Sequence, residues 1–202
     1  NQVVRFDFIL DDAFDVGYAA LPMDVAFAKA RMYGLAYSWF TSGFVKEINA
    51  KVYYNFIDHA MDDSQRPNVP IRMDMPGQSE TFGGYLEGLS KQLGSHVLYL
   101  KAEAFSNFRH AEMTMYPPSE TEPPMYMVTW PDVRKTSALF VLRDDLTIGQ
   151  HSMLTLSAKF QADFNDIVTE EGKRFMEPFG YEGPTRYYLP ALTIKYGYQI
   201  NQ

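Results

Sequence analysis

Ser152-Met153-Leu154-Thr155-Leu156-Ser157-Ala158-Lys159-Phe160-Gln161-Ala162-Asp163-Phe164 decides the fold. Leu154, Leu156, Ala158, Phe160, Ala162 and Phe164 alternate with Met153, Thr155, Ser157, Lys159, Gln161 and Asp163. A helix would repeat its apolar positions every ~3.6 residues, whereas alternate residues of a strand point to opposite faces. The stretch is therefore a long strand with one apolar face and one polar face. Val97–Phe108 repeats the pattern, with Leu98, Leu100, Ala102, Ala104 and Phe108 set against Tyr99, Lys101, Glu103 and Asn107. In Ile48–Ile57, Ile48, Ala50, Val52, Tyr54 and Phe56 oppose Asn49, Lys51, Tyr53 and Asn55. Leu192, Ile194, Tyr196 and Tyr198 alternate with Thr193, Lys195, Gly197 and Gln199, and Arg31–Phe40 is a less polar version.

Extended to the whole chain, the pattern predicts eight strands, at 2–10, 28–40, 44–57, 80–92, 96–108, 133–146, 151–164 and 187–200. Most are about twice the ~5–6 residues usual in soluble sheets. Three connections are tight: Thr41-Ser42-Gly43, Gly94-Ser95 and Thr147-Ile148-Gly149-Gln150, with Gly supplying positive φ. The other four, 11–27, 58–79, 109–132 and 165–186, are long and hold most of the prolines, including Pro117-Pro118 and Pro123-Pro124. Short and long connections alternate, so an up-and-down sheet collects all the long ones at one end. Outer-membrane barrels sort their loops in this way. The fold class expected is all-β: an antiparallel up-and-down meander of about eight long strands, almost without helix, forming part of a transmembrane β-barrel. A soluble barrel with its apolar face inside is the alternative, since period two does not say which face is inside.

On the membrane reading, Leu154, Leu156, Phe160, Leu98, Leu100, Val52 and Tyr54 face lipid, and Lys159, Gln161, Lys101, Glu103 and Lys51 face a hydrated lumen. Aromatic residues near strand ends, such as Tyr37, Trp39, Phe40, Tyr187 and Tyr188, suit a lipid–water boundary. The glycines Gly83-Gly84 are expected to mark a bend or bulge.

Composition narrows the function. The chain has 202 residues, 46% of them hydrophobic, and a net charge of −7, which argues against nucleic acid as a partner. With no cysteine, disulfide scaffolds, thiol catalysis and Cys-based zinc sites all drop out. No apolar run approaches the ~20 residues of a membrane-spanning helix. The four histidines, His59, His96, His110 and His151, form no readable triad or His-Glu-x-x-His spacing. The adjacent carboxylates Asp62-Asp63, Asp144-Asp145 and Glu170-Glu171 read as solvated turn residues, so no enzyme is expected.

Lys51-Val52-Tyr53-Tyr54-Asn55-Phe56-Ile57-Asp58-His59-Ala60-Met61-Asp62-Asp63 resembles a barrel strand and loop start of TonB-dependent outer-membrane receptors. Arg72-Met73-Asp74-Met75-Pro76-Gly77 with Glu80-Thr81-Phe82-Gly83-Gly84-Tyr85-Leu86-Glu87 is similar to a loop and returning strand of that family, and Trp130-Pro131-Asp132-Val133-Arg134 to a later strand start. The Met-rich phrasing is closest to copper-receptor-like members. The resemblance implies a 22-stranded, plugged barrel in the outer membrane, of which residues 1–202 would be a partial wall without the plug domain. It further implies active transport of a metal ion or metal complex energised by TonB through that plug. A passive porin or surface adhesin on a small complete barrel is the alternative function. The chain ends Tyr198-Gln199-Ile200-Asn201-Gln202, without the terminal aromatic usual in complete barrels, so an internal fragment is expected.

Methionine carries the candidate chemistry. Met73-x-Met75, Met113-x-Met115 and Met125-x-Met127 are three Met-x-Met pairs in or beside the expected long loops. On an extended backbone, residues i and i+2 share a face and can address one ion. Thioethers are soft donors that select Cu(I). His59 and Met61 flank one such loop and His110 precedes another; the two histidines join the six paired methionines as the candidate metal set, the alternative being methionine as flexible apolar filler. No resident cofactor is required, copper or another metal complex being the cargo.

Overall fold

The computed structural model describes residues 1–119 and 121–199. Its strands are β1 (Gln2–Val16), β2 (Asp24–Phe40), β3 (Val45–Asp62), β4 (Arg72–Ser90), β5 (His96–Tyr116), β6 (Met125–Ile148), β7 (Ser152–Ile167) and β8 (Thr185–Tyr198). They form one eight-stranded sheet in the order β1 to β8, each strand antiparallel to its neighbours in sequence. The all-β meander expected from the period of two is the observed fold. Residue 200, the last of the expected final strand, lies outside the described residues.

The strands are longer than the alternation alone marks. β5 runs 21 residues and β6 runs 24. The extra length lies mainly at the long-loop end, where both faces turn polar and the period-two signal fades while backbone pairing continues. The long connections shrink accordingly to 17–23, 63–71, 117–124 and 168–184, and still lie at the end opposite the tight turns. The last of them holds a helix, α1 (Glu170–Met176), followed by a 3-10 turn, Glu177–Phe179. It lies within the expected long connection 165–186, in a fold expected to be almost without helix. Thr169 caps the helix, its Oγ1 accepting the Gly172 N–H at 3.1 Å, with Glu170 and Glu171 in the first turn and Lys173 and Arg174 in the last. That is the polarity the helix dipole favours.

Gly83-Gly84 is no bulge. Pairing runs unbroken through Tyr53–Gly83–Phe105 and Val52–Gly84–Ala104. Gly83 instead makes room, since a Cβ there would lie 2.6 Å from Tyr53 Oη and 2.7 Å from Phe105 Cβ. The register shifts fall at Val25/Phe27, at Val45/Glu47, and twice between Arg109 and Glu112 where β5 meets β6.

Register sorts the two faces. Phe6, Leu35, Val52, Gly84, Ala104, Ala138, Ala162 and Tyr188 form one row across all eight strands. Directly beside it, Arg5, Ala36, Lys51, Tyr85, Glu103, Leu139, Gln161 and Leu189 form a row on the opposite face. Burial is inverted relative to a soluble domain. On the apolar face Val52 is 50% exposed and Phe160 46%, while on the polar face Asn107, Ser137 and Asp163 are buried. The polar face satisfies itself: Ser137 Oγ donates to Asp163 Oδ1 at 2.6 Å, Lys135 Nζ lies 3.1 Å from Asp163 Oδ2, and Asn107 Nδ2 donates to Thr81 Oγ1 at 2.8 Å.

The apolar face is bounded by charge. On β6, Arg134 and Asp144 flank Thr136, Ala138, Phe140 and Leu142. Ten residues at ~3.3 Å, tilted by ~40°, give a belt about 25 Å tall, the height of a barrel's lipid-facing band. A mid-belt Leu156→Arg substitution is therefore expected to cost ~2–4 kcal/mol of stability in a bilayer. Lys159→Ala, on the other face, is expected to cost far less. Unfolding from vesicles, with nitroxide labels at 156 and 159 reporting lipid contact, checks both the cost and the facing.

Candidate methionine site

The three Met-x-Met pairs lie on strands rather than in loops. Met73 and Met75 are on β4, Met113 and Met115 on β5, and Met125 and Met127 on β6. Pairing aligns them. Met73, Met115 and Met125 are consecutive register partners, forming one row across three strands. Met61 on β3 pairs with Met75, and Met113 with Met127. Backbone pairing lapses at Pro76, which has no N–H to give, but the register on either side, Asp74–Thr114 and Gly77–Ala111, sets Met75 opposite Met113. A second row, Met61–Met75–Met113–Met127, thus lies one residue pair, ~6.8 Å, inward of the first.

All seven methionines share the polar face, because each is separated by an even number of residues, or by register pairing, from Lys51, Tyr85 and Glu103. Directly opposed side chains have Cβ atoms ~4.5–5.5 Å apart. Met125 and Met127 are exposed and the other five are half-buried, so the array is open to solvent at the long-loop end.

His59 lies in the next row inward with Gly77, Ala111 and Trp130. Its imidazole lies across β4, where a Cβ on Gly77 would be 2.9 Å from His59 Cε1. Glycine at 77 is what lets the ring lie against the sheet just below the second methionine row. Beyond it, the Arg109 guanidinium stacks over Trp130 at 5.5 Å and its Nε donates to Asn107 Oδ1 at 2.5 Å, closing the site with a cation.

His110 does not join. It is the register partner of Gln78 and projects from the opposite face. Its Nδ1 is 2.8 Å from Asp132 Oδ1 and its Nε2 is 3.7 Å from Glu112. Asp132, at φ 54°, also accepts from Thr169 Oγ1 at 2.6 Å. His110 thus ties β5 to the bulged part of β6 and, through Thr169, to α1. Met61 and Gly77, which the Met-x-Met spacing did not single out, are members in its place. His59-x-Met61 carries the same i, i+2 signal as the methionine pairs. Among the described residues no group of three His, Asp or Glu side chains could hold a hard metal ion.

Polar latches hold this end. Asp63, almost wholly buried, accepts the Met73 N–H at 3.0 Å and fixes the entry of β4, while Arg72 donates to the Asp63 and Arg66 carbonyls. Arg66 Nε donates to Asp24 Oδ2 at 2.7 Å, and the same guanidinium reaches the Tyr18 carbonyl at 2.6 Å. The Tyr18 N–H donates to Asp24 Oδ1 at 2.9 Å. The Arg66 hydrogen bonds, with the Tyr18 N–H, hold the Asp24 carboxyl below the usual carboxylate range.

No protein-family model matches the chain, and no curated protein matches its sequence. Among solved structures, 27 chains match. One of them is Copper transporter OprC, with a TM-score of 0.74 and 17% sequence identity. The match covers 91% of this chain and 29% of that protein. The chain therefore spans less than a third of the length of OprC and has the fold of a piece of it. The resemblance to barrel wall of the copper-receptor-like kind is borne out as fold.

The latch has a pH signature. Because the folded pKa of Asp24 is depressed, its contribution is complete above the unfolded value of ~3.9 and is lost as pH falls through the lower folded value. Acidification below about pH 4 is expected to loosen connections 17–23 and 63–71 while the sheet persists. The Tyr18 amide resonance should report this, and Asp24→Asn should show the loosened state already at neutral pH.

Proposed function

We propose that the chain is wall of an outer-membrane receptor that takes up a soft metal ion or its complex, with Cu(I) as the favoured cargo. The observation that carries the reading is the double row of seven methionines, with His59 beneath it, on the polar face at the long-loop end. The inverted burial supports the membrane setting: a sheet with an apolar face exposed and a polar face packed fits lipid on one side and a hydrated lumen on the other. The unpaired outer edges of β1 and β8 support further wall, because an open edge in hydrocarbon leaves N–H and C=O groups unsatisfied.

In this reading the long-loop end is extracellular. An ion meets exposed Met125 and Met127 first, then the half-buried thioethers. Adjacent donors in two rows offer several overlapping sites, so an ion exchanges ligands stepwise rather than leaving the protein. His59, at the inner end, supplies an imidazole where the thioethers stop. Neutral thioethers carry no proton, so capture by the methionines is insensitive to mild acid, whereas a bound His59 must be deprotonated. Energy is supplied by TonB acting through a plug, and a metal-chelate cargo would use the same face.

Titration of the intact receptor with Cu(I), held by a competing chelator, tests this. Replacing Met73, Met115 and Met125 together by Leu keeps volume and removes sulfur. The affinity is expected to fall at least ~10-fold, about 1.4 kcal/mol. Replacing Met61, Met75, Met113 and Met127 should do the same. Unchanged affinity in both variants would leave the methionines as apolar filler and move the proposal to another cargo.

A further inference from the structure

Two arginines at the long-loop border of the apolar belt form no ion pair among the described residues. Arg134 on β6 and Arg186 on β8 both project from the apolar face, immediately before Thr136 and Tyr188. Neither forms an ion pair or side-chain hydrogen bond among the described residues, and both are exposed. Each is propped on an aromatic ring: Arg134 over Phe108 at 5.7 Å and Arg186 over Phe164 at 5.4 Å. Arg31 is the contrast. It occupies the same register row as Arg134, through Phe56, Glu80 and Phe108, but is neutralised by Asp12 at 2.5 and 3.0 Å. Asp166 on β7 is the direct register partner of Arg134 and faces the same side, but its carboxylate accepts from Tyr181 Oη at 2.6 Å and pairs with neither guanidinium among the described residues.

Directly inward lies a trough in the same face, with a volume of about 630 Å³. Gly84, Ala104, Ala138 and Ala162 floor it, and Phe140 and Phe160 wall it. Phe160 is stacked with Tyr188 at 6.3 Å, which fixes the wall on the Arg186 side. Ala138 is four residues from Arg134, ~13 Å along the strand. Free cations at the belt's edge and an apolar trough beneath them are the two halves of an amphiphile's shape.

Resting on the reading of this sheet as outer-membrane wall, we propose that Arg134, Arg186 and the trough form a binding site for one anionic lipid of the outer leaflet. The guanidiniums take its phosphate groups and the trough takes an acyl chain. Arginine suits this task, as its planar fork pairs with phosphate oxygens bidentately and is the more weakly hydrated cation. Two strand spacings and a stagger of two residues set the arginines ~12 Å apart, so they engage separate phosphate groups.

The test is native mass spectrometry of the full-length receptor in detergent, titrated with bisphosphorylated lipid A, with the same lipid stripped of phosphate, and with inorganic phosphate. Wild type is expected to hold lipid A at least ~10-fold more tightly than the stripped lipid. Arg134→Gln with Arg186→Gln should erase that preference, and the Lys pair should restore part of it. Ala138→Phe, which fills the trough, should weaken both lipids and leave the phosphate preference intact. Equal preference in wild type and the Gln pair overturns the proposal, as does displacement of lipid A by equimolar inorganic phosphate. A nitroxide at 156 separates the two failures. If it reports lipid contact while the preference is absent, the lipid site alone falls; if it reports water, the membrane reading falls and the site with it.

Discussion

The constraint on which everything else depends is that each backbone N–H and C=O in the belt must find a partner in the next strand. Along the belt no second layer packs on the sheet among the described residues: it has one face of exposed Leu, Val and Phe and one face of mutually bonded polar groups. In water such a sheet would expose an apolar patch far larger than a monomer tolerates. In hydrocarbon the same face is solvated, and the ladder becomes the one obligatory interaction, since an unpaired peptide group there has no water to turn to. Strand length, the single-file order β1 to β8, and the absence of crossovers all follow from keeping that ladder continuous.

A continuous ladder also fixes who meets whom across the sheet, and the site is a product of this. With the register that holds below Arg109, Val133 faces Arg109 and Lys135 faces Asn107. Carried upward unchanged, that register would set Met115 opposite Met127 and leave Met125 past the end of β5. The two shifts between Arg109 and Glu112 put extra residues into β6, so that Met113 meets Met127 and Met115 meets Met125. Asp132, in the left-handed region, and the His110–Asp132–Thr169 bonds hold that irregular stretch in place. His110 thus contributes to the array by shaping β6, on the face away from the sulfur atoms.

This divides what could be read from the residues from what could not. Which residues share a face of the sheet was legible, since Leu156 and Lys159, or Leu100 and Lys101, differ by parity alone and parity survives small boundary errors. Loop sorting was legible from Gly94, Gly149 and the proline-rich connections. The outer thirds of β4, β5 and β6 were not, because Asp74, Glu112 and Tyr126 lie there on the face that carries Leu86, Leu100 and Phe140 lower down. Both faces are polar or mixed at that height, and alternation vanishes although pairing goes on. The pairs Met73-x-Met75, Met113-x-Met115 and Met125-x-Met127 therefore read as loop residues, when they are strand residues above the belt. Gly77 and Gly83 were opaque for a related reason: each makes room for a ring from the adjacent strand, His59 or Tyr53, and only the register says which ring that is.

Once the methionines are placed on strands, their chemistry is more constrained than a loop would allow. A mobile loop can wrap several donors around one ion, at the cost of ordering backbone and side chains together. Rows on a paired sheet have their backbone already ordered by the ladder, so only the flexible Met side chains need settle. The same rigidity prevents seven sulfur atoms from converging on a single point, because the rows are ~6.8 Å apart and the strands ~4.8 Å. A lattice of that spacing favours a few donors at a time and neighbouring sites of similar affinity. On the proposed reading such an arrangement suits passage better than storage: an ion held by two or three thioethers would be released to the next pair, and its descent would end at His59, where Gly77 leaves the imidazole its place.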